Sequence, residues 1–284
     1  MPSLIDIRRR IRSVKNTQQI TKAMKMVSAA KLRRAHERAL AARPYGDSLN
    51  RILANVASAA SANDEVNHPL LAIREEKRIQ LVMVTSDPGL AGAFNVNILR
   101  LAQRFIDDNP GKHILVEAIG RKGRDYFRRR SYELSGEHIG VVDKPTYEKA
   151  RDIADTLIER YSKAEVDAVY LCFNEFKSVM APNLVLTRVL PVDLPESKEP
   201  IDYIYEQSPQ ELLAALLPRY VEVQLYRAML ESISAYHAAR MTAMDAATSN
   251  AGELIETLTL DMNRVRQATI TREIIEIVSG AAAQ

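Results

Sequence analysis

The chain has 284 residues, 46% hydrophobic and 26% charged, with a net charge of +3, which is globular or helical material with room for one or two domains. Cys172 is the only cysteine, which excludes a disulfide framework and a cysteine-based zinc site and points to a reducing compartment. No apolar run approaches the ~18 residues of a membrane span, and the charged N-terminus has no signal-peptide core, so the expectation is a soluble chain that can still sit on a membrane complex.

Ser3 is a helix cap, and Asp6 falls in the first turn, where an acid is favourable. No proline or glycine then occurs until Pro44 and Gly46. Leu4, Ile7, Ile11 and Val14 step by three, four and three, which is a coiled-coil seam. It turns small and polar through Gln18, Thr21 and Ser28, and alanine-rich through Ala35, Ala39 and Ala42. Residues 1–57 carry thirteen Lys/Arg against three acids, whereas 219–284 carry six against eight. Such asymmetry speaks of partners rather than fold.

Between the ends the periodicity changes. Ile79–Val84, His113–Ile119, Asp167–Phe176 and Leu184–Leu190 are short apolar runs of strand type. Asn97–Ile106, Arg121–Arg130 and Thr146–Tyr161 have helical patterns. Strands alternating with helices predict an α/β sheet with parallel neighbours. Pro191, Pro195 and Pro200 mark a linker. Ser208, Pro209 and Glu211 form a capping box with proline at the first helical position, and Pro218 is expected to kink or break the helix they start.

Arg219–Ser279 contains one glycine, Gly252, and no proline. Val221, Leu225, Met229, Ile233 and Tyr236 lie on one helical face. A helix of this length spans roughly 90 Å, too long for a domain interior, so it needs partners. Two amphipathic helices at opposite ends of a chain pair most simply as an antiparallel coiled coil. Aligning Leu4–Val14 with Leu254–Leu260 leaves an overhang of about two dozen residues, ~35 Å. Within it, Met262, Val265, Ile270, Ile274, Ile275, Ile277 and Val278 do not share one stripe, and a helix apolar on most sides is a buried one. The expected organisation is α/β plus a long antiparallel coiled coil: helices in 1–57 and 208–284 around a Rossmann-like parallel-sheet domain at 74–195.

Enzyme signals are absent. The stretch Gly89–Asn95 follows a strand and precedes a helix, but it lacks the glycine spacing and the lysine of a phosphate loop. The five histidines show no ligand spacing, and no serine sits in a nucleophile elbow. The basic N-terminal helix has no interleaved aromatics; nucleic-acid binding through phosphate contacts is the alternative.

The segments Ile20–Ala29, Ala239–Asn250 and Asn263–Gly280 resemble the signatures of the gamma subunit of F-type ATP synthase, in its bacterial form, and the likeness covers essentially the whole chain. The central turn departs from it: the family usually has arginine where Pro88 stands, and often Cys-Gly-Gly where Ala91-Gly92-Ala93 stands. The resemblance implies a non-catalytic subunit without cofactor or metal. Its terminal helices would form a rotating shaft inside a ring of three alpha and three beta subunits, and its α/β domain would contact the epsilon subunit and the membrane c-ring. It implies a peripheral position on the cytoplasmic face of the inner membrane. Arg240, Gln267 and Thr271 would be polar contacts to beta-subunit loops, with Met24 and Lys25 near a coupling region. Ile274 and Val278 would lie in an apolar bearing, and Tyr205 and Glu206 would face the rotor ring.

Overall fold

A computed structural model describes residues 3–61, 68–179, 182–194 and 207–282. In chain order the elements are α1 (Leu4–Ser61), β1 (Arg78–Val84), α2 (Phe94–Asp107), β2 (His113–Ile119), α3 (Arg121–Arg128), β3 (Leu134–His138), α4 (Tyr147–Ser162), β4 (Ala168–Phe176), β5 (Pro182–Leu190) and α5 (Pro209–Ala282). The chain divides into two compact units, one holding the chain up to Ala29 and from Arg240 on, the other Ala30–Ala239. Helices α1 and α5 contribute to both.

Each long helix starts at a reciprocal cap. The Ser3 N–H donates to Asp6 Oδ2 at 3.3 Å, and the Asp6 N–H to Ser3 Oγ at 3.2 Å. Ser208 and Glu211 exchange the same pair of bonds at the head of α5, both at 3.3 Å. Thr146 caps α4. Two prolines fail to interrupt their helices: α1 passes through Pro44 and α5 through Pro218. At Pro218 the break that the sequence allowed does not occur. The carbonyl deprived of its partner belongs to Ala214, which is exposed, while Leu213, Leu217 and Val221 on the other side are fully buried. Core packing on that face outweighs a local penalty of about 3 kcal/mol.

In the first unit α1 and α5 are antiparallel. Positions 4, 7, 11, 14, 18, 21, 24, 25 and 28 of α1 are the less exposed ones, a three–four alternation doubled at Met24 and Lys25. On α5 the positions 244, 248, 251, 255, 258, 262 and 265 continue that seam, with 241, 243, 247, 252, 259 and 263 beside it also partly shielded. Register is set by polar contacts: Thr21 Oγ1 meets Thr248 Oγ1 at 2.7 Å, and Lys25 Nζ meets Asp245 Oδ1 at 2.6 Å. Continued to the start of α1, this pairing puts Leu4 beside Val265, about a turn beyond the Leu260 expected from sequence. The uncovered end of α5 is correspondingly shorter.

The second unit is built on a five-stranded sheet in the order β3-β2-β1-β4-β5. Its neighbours are parallel except β5, which runs antiparallel to β4. Five residues join β4 to β5, too few for the crossover that a parallel neighbour needs. Side chains of β1 alternate between two cores. Leu81 and Met83 pack with Ile98 and Ala102 of α2, Phe127 of α3 and Cys172. Val82 and Val84 pack with Ile153 and Leu157 of α4, Leu53 and Val56 of α1, and Leu217, Val221 and Leu225 of α5. The later part of α1 and the first part of α5 are therefore part of this core. Strand β3 was not apparent in the sequence Leu-Ser-Gly-Glu-His, which has little apolar content.

Candidate partner-binding surfaces

Two places merit attention: the crevice at the carboxyl ends of the strands, and the surfaces of α1 and α5. In an open α/β sheet a ligand binds outside the strand ends where the strand order reverses, here at β1 beside β4. That place is filled by the chain's own α5. Tyr236 packs edge-to-face on Phe94, with ring centroids 5.7 Å apart, and its hydroxyl donates to the Gly89 carbonyl at 3.3 Å. Ala91 and Ala235 complete the plug, with Phe176 and Ala239 against it. The adjoining turn is tied up as well. Asp87 accepts the N–H groups of Arg121 at 2.8 Å and Gly140 at 2.9 Å, and the Asn95 side chain accepts the Ser86 N–H at 3.1 Å. A carboxylate holding these amides repels phosphate. The turn between Gly89 and Asn95 is a tight strand-to-helix connection closed by a helix side chain. Cys172 lies in the core, where burial pushes its thiol up to about 12, so it is not a nucleophile at neutral pH.

Two buried acids hold this unit together, and sequence patterns did not reveal their partners. Glu231 of α5 accepts from Arg43 of α1 at 3.1 Å and from the Phe176 N–H at 3.1 Å. Glu117 of β2 accepts from Gln80 (2.7 Å), Ser135 (2.9 Å) and Arg160 (3.2 Å), with His138 Nε2 at 2.6 Å. Each interrupts an apolar run, which is the only signal the sequence carries.

The residues singled out from sequence fall into separate groups. Met24 and Lys25 are half-buried on α1, and Lys25 pairs with Asp245. Arg240 is half-buried on α5. Gln267, Thr271, Ile274 and Val278 step by four, three and four, so they form one stripe. All four are exposed, and Thr271 Oγ1 donates to the Gln267 carbonyl at 2.9 Å. Roughly 40 Å of helix separates Arg240 from Gln267, so they are not one site. Ile270, Ile275 and Ile277 on the other sides of this stretch are also exposed. Tyr205 and Glu206 lie outside the described residues. Among the described residues, no helix is long and apolar enough to cross a membrane.

Comparison with known proteins converges on one group. The family model described as ATP synthase matches residues 3–284. The ATP synthase gamma chain of Solibacter usitatus is 63% identical over 285 residues, covering all of this chain and 99% of that one. The gamma chain of an Anaeromyxobacter species is 52% identical over 288 residues, again covering all of this chain and 99% of its own. Among solved structures, a chain of the Euglena gracilis mitochondrial ATP synthase rotor superposes with a TM-score of 0.68 at 18% identity, covering 94% of this chain and 98% of that one. A chain from the Tetrahymena thermophila mitochondrial ATP synthase central stalk and c-ring gives 0.61 at 23% identity, covering 80% and 99%. At such identities these structures establish likeness of fold.

Proposed function

This chain belongs to the ATP synthase gamma chain family, and from that premise we propose that it is the central shaft of a bacterial ATP synthase, coupling ion-driven rotation to the catalytic cycle of other subunits. It is a non-catalytic subunit. The shaft is formed by the helices within 1–57 and 208–284, and the body of the subunit by 74–195. Three otherwise equivalent catalytic subunits change state in turn only if the shaft offers each a different contact at a given angle. A ligand or partner shifts a conformational equilibrium only through differential interaction with its states. Two unlike helices, one strongly basic and one not, supply that asymmetry.

The observation that carries the proposal is the end of α5. Past Val265 every described side chain is exposed, isoleucines included. Apolar side chains on all sides of a helix call for a surrounding partner. We assign that enclosure to a ring of alpha and beta subunits, with Ile274 and Val278 in the bearing, because non-directional apolar contact imposes little angular preference. Gln267, Thr271 and Arg240 are then polar contacts to beta subunits, and Met24 and Lys25 belong to the coupling region. The epsilon subunit and the c-ring meet the α/β body, with Tyr205 and Glu206 on the rotor-ring side. The complex is placed on the cytoplasmic face of the inner membrane, with this chain peripheral. Nucleic-acid binding by the basic helix finds no support, since the family match includes that helix.

The test is ATP-driven proton pumping in inverted membrane vesicles carrying Arg240→Ala or Arg128→Ala. Arg128 sits on the α/β unit, paired at the surface with Glu137 at 2.7 Å. The proposal expects Arg240→Ala to lower pumping per ATP hydrolysed or the yield of assembled complex, and Arg128→Ala to leave both near wild type. Equal effects would refute the assignment.

A further inference from the structure

Within the unit Ala30–Ala239, α1, α5 and the start of α4 enclose an open cavity of about 340 Å³, a volume typical of small-molecule sites. Val223 and the rings of Tyr45, Tyr147 and Tyr226 line its apolar part. Tyr147 and Tyr226 stand edge-to-face, with centroids 5.8 Å apart at 87°. The Tyr147 hydroxyl is engaged twice, donating to Glu222 and accepting from Arg219 at 3.3 Å. Tyr147 therefore offers the cavity its ring and no polar group in need of a partner. The charges at the rim are answered within the protein. Arg43 pairs with Glu231 at 3.1 Å and Arg219 with Glu222 at 3.5 Å. Glu175 is held below the usual carboxylate range by the Asn183 hydrogen bond and then by the charges of Lys177 and Arg227, so Arg227 too has a carboxylate within electrostatic reach. Glu175 and Asp47 line the adjoining cavity together with Arg43 and Arg227.

We propose that this cavity is a binding site for a neutral, planar aromatic molecule, with its rings against Tyr45, Tyr147, Tyr226 and Val223. Apolar burial and ring–ring geometry supply the affinity, and no rim charge calls for a charged ligand. A ligand carboxylate would give up its hydration for guanidinium groups that are already engaged, with Glu175, Glu222 and Asp47 behind them. A saturated ring system of the same size forgoes the ring–ring geometry that the tyrosines offer. Nothing in this inference depends on the role of the chain in the larger assembly, and binding is read on the chain itself.

The experiment is titration of the purified full-length chain with 2-naphthalenemethanol, followed by probe fluorescence and saturation-transfer NMR. Saturable one-to-one binding is expected. Its anionic counterpart, 2-naphthoate, should bind about tenfold more weakly, and its fully saturated counterpart about fivefold more weakly, the scale of one ring–ring contact. Tyr226→Leu should weaken binding of the aromatic probe about fivefold, whereas Tyr226→Phe, which keeps the ring, should leave it unchanged. Val223→Trp, which fills the cavity, should abolish binding with the circular dichroism spectrum preserved. If Val223→Trp does not fold, the two Tyr226 variants and the two comparison probes decide. Absence of saturable binding, equal or tighter binding of 2-naphthoate, or an unchanged Tyr226→Leu titration overturns the proposal. So does a probe that binds the free chain and is excluded from the assembled complex, which would give the cavity to a side chain of a partner subunit.

Discussion

Arg43 on α1 donates to Glu231 on α5 across 3.1 Å, and Glu231, only 2% exposed, takes the Phe176 N–H on its other oxygen. One carboxylate thus joins both long helices to the sheet. Replacing it with alanine leaves a buried N–H without a partner and a guanidinium without a counter-charge. Arg43 is 41% exposed, so water recovers part of the second loss. Glu231→Ala is expected to lower unfolding free energy by about 2–3 kcal/mol. Glu231→Gln should cost less, since its amide oxygen still accepts. Urea denaturation followed by circular dichroism measures both, and a loss below about 0.5 kcal/mol for the alanine variant, the range of an ordinary surface change, contradicts the role.

Glu117 predicts a pH dependence. Burial by itself raises the pKa of its carboxyl, but hydrogen bonds from His138 and Ser135 and the charges of His138 and Arg160 outweigh it, and the net shift is downward. The unfolded chain therefore takes up this proton at a higher pH than the folded one. The stabilisation is fully present above the ordinary glutamate value of 4.5 and is lost as pH falls from there through the depressed folded value. Unfolding free energies measured from pH 7 down to pH 3 should fall more steeply for wild type than for Glu117→Gln. Parallel slopes would remove Glu117 as a source of the acid sensitivity.

Two glycines should respond in opposite directions to alanine. A Cβ on Gly136 would stand 2.2 Å from Glu117 Oε1 and 2.6 Å from its Cδ, and that carboxylate is held from four sides and cannot step back. Overpacking of this kind costs about 1–3 kcal/mol. Gly46 lies inside α1, and its Cβ would meet only Val223 Cγ1, at 3.7 Å, an ordinary contact. Gly46→Ala should raise stability by about 0.5–1 kcal/mol through helix propensity. Thermal unfolding of the two variants should therefore bracket the wild-type midpoint.

Most of the elements were legible because their physics is local. Alternating or continuous apolar runs mark β1, β2, β4 and β5, and the Ser3 and Ser208 caps mark two helix starts. What failed was decided at a distance. Strand β3 pairs with β2 through its backbone, and Gly136 is there to admit the Glu117 carboxylate, so its residues carry no strand pattern. Pro218 does not break α5 because the packing of Leu217 and Val221 outweighs one missing hydrogen bond. The coiled-coil register slipped by about a turn because a seam of alanine, serine and threonine slides easily, and contacts such as Thr21–Thr248 fix it. The crevice could not be seen to be filled without knowing that Tyr236 returns to Gly89. Of the site residues, Ile274 and Val278 were legible as part of an apolar helix end, whereas Arg240, Gln267 and Thr271 rest on family resemblance.

The final prediction separates an enclosed helix end from one that merely stands in water. Ile274 and Val278 are 55% and 62% exposed in the isolated chain, so neither contributes much to its folding. Ile274→Asp and Val278→Asp should therefore change its unfolding free energy by no more than about 0.5 kcal/mol. In the assembled complex the same changes place a carboxylate inside an apolar sleeve, where an unpaired charge is costly. Reconstitution with the other subunits should then give a lower yield of complex, or a complex whose ATP hydrolysis is no longer matched by proton pumping. Ile73→Asp provides the comparison, since Ile73 is 81% exposed on the α/β unit and far in sequence from the helix end. Identical reconstitution for all three variants would mean that the end of α5 is not housed by its partners, and the shaft assignment would lose its principal support.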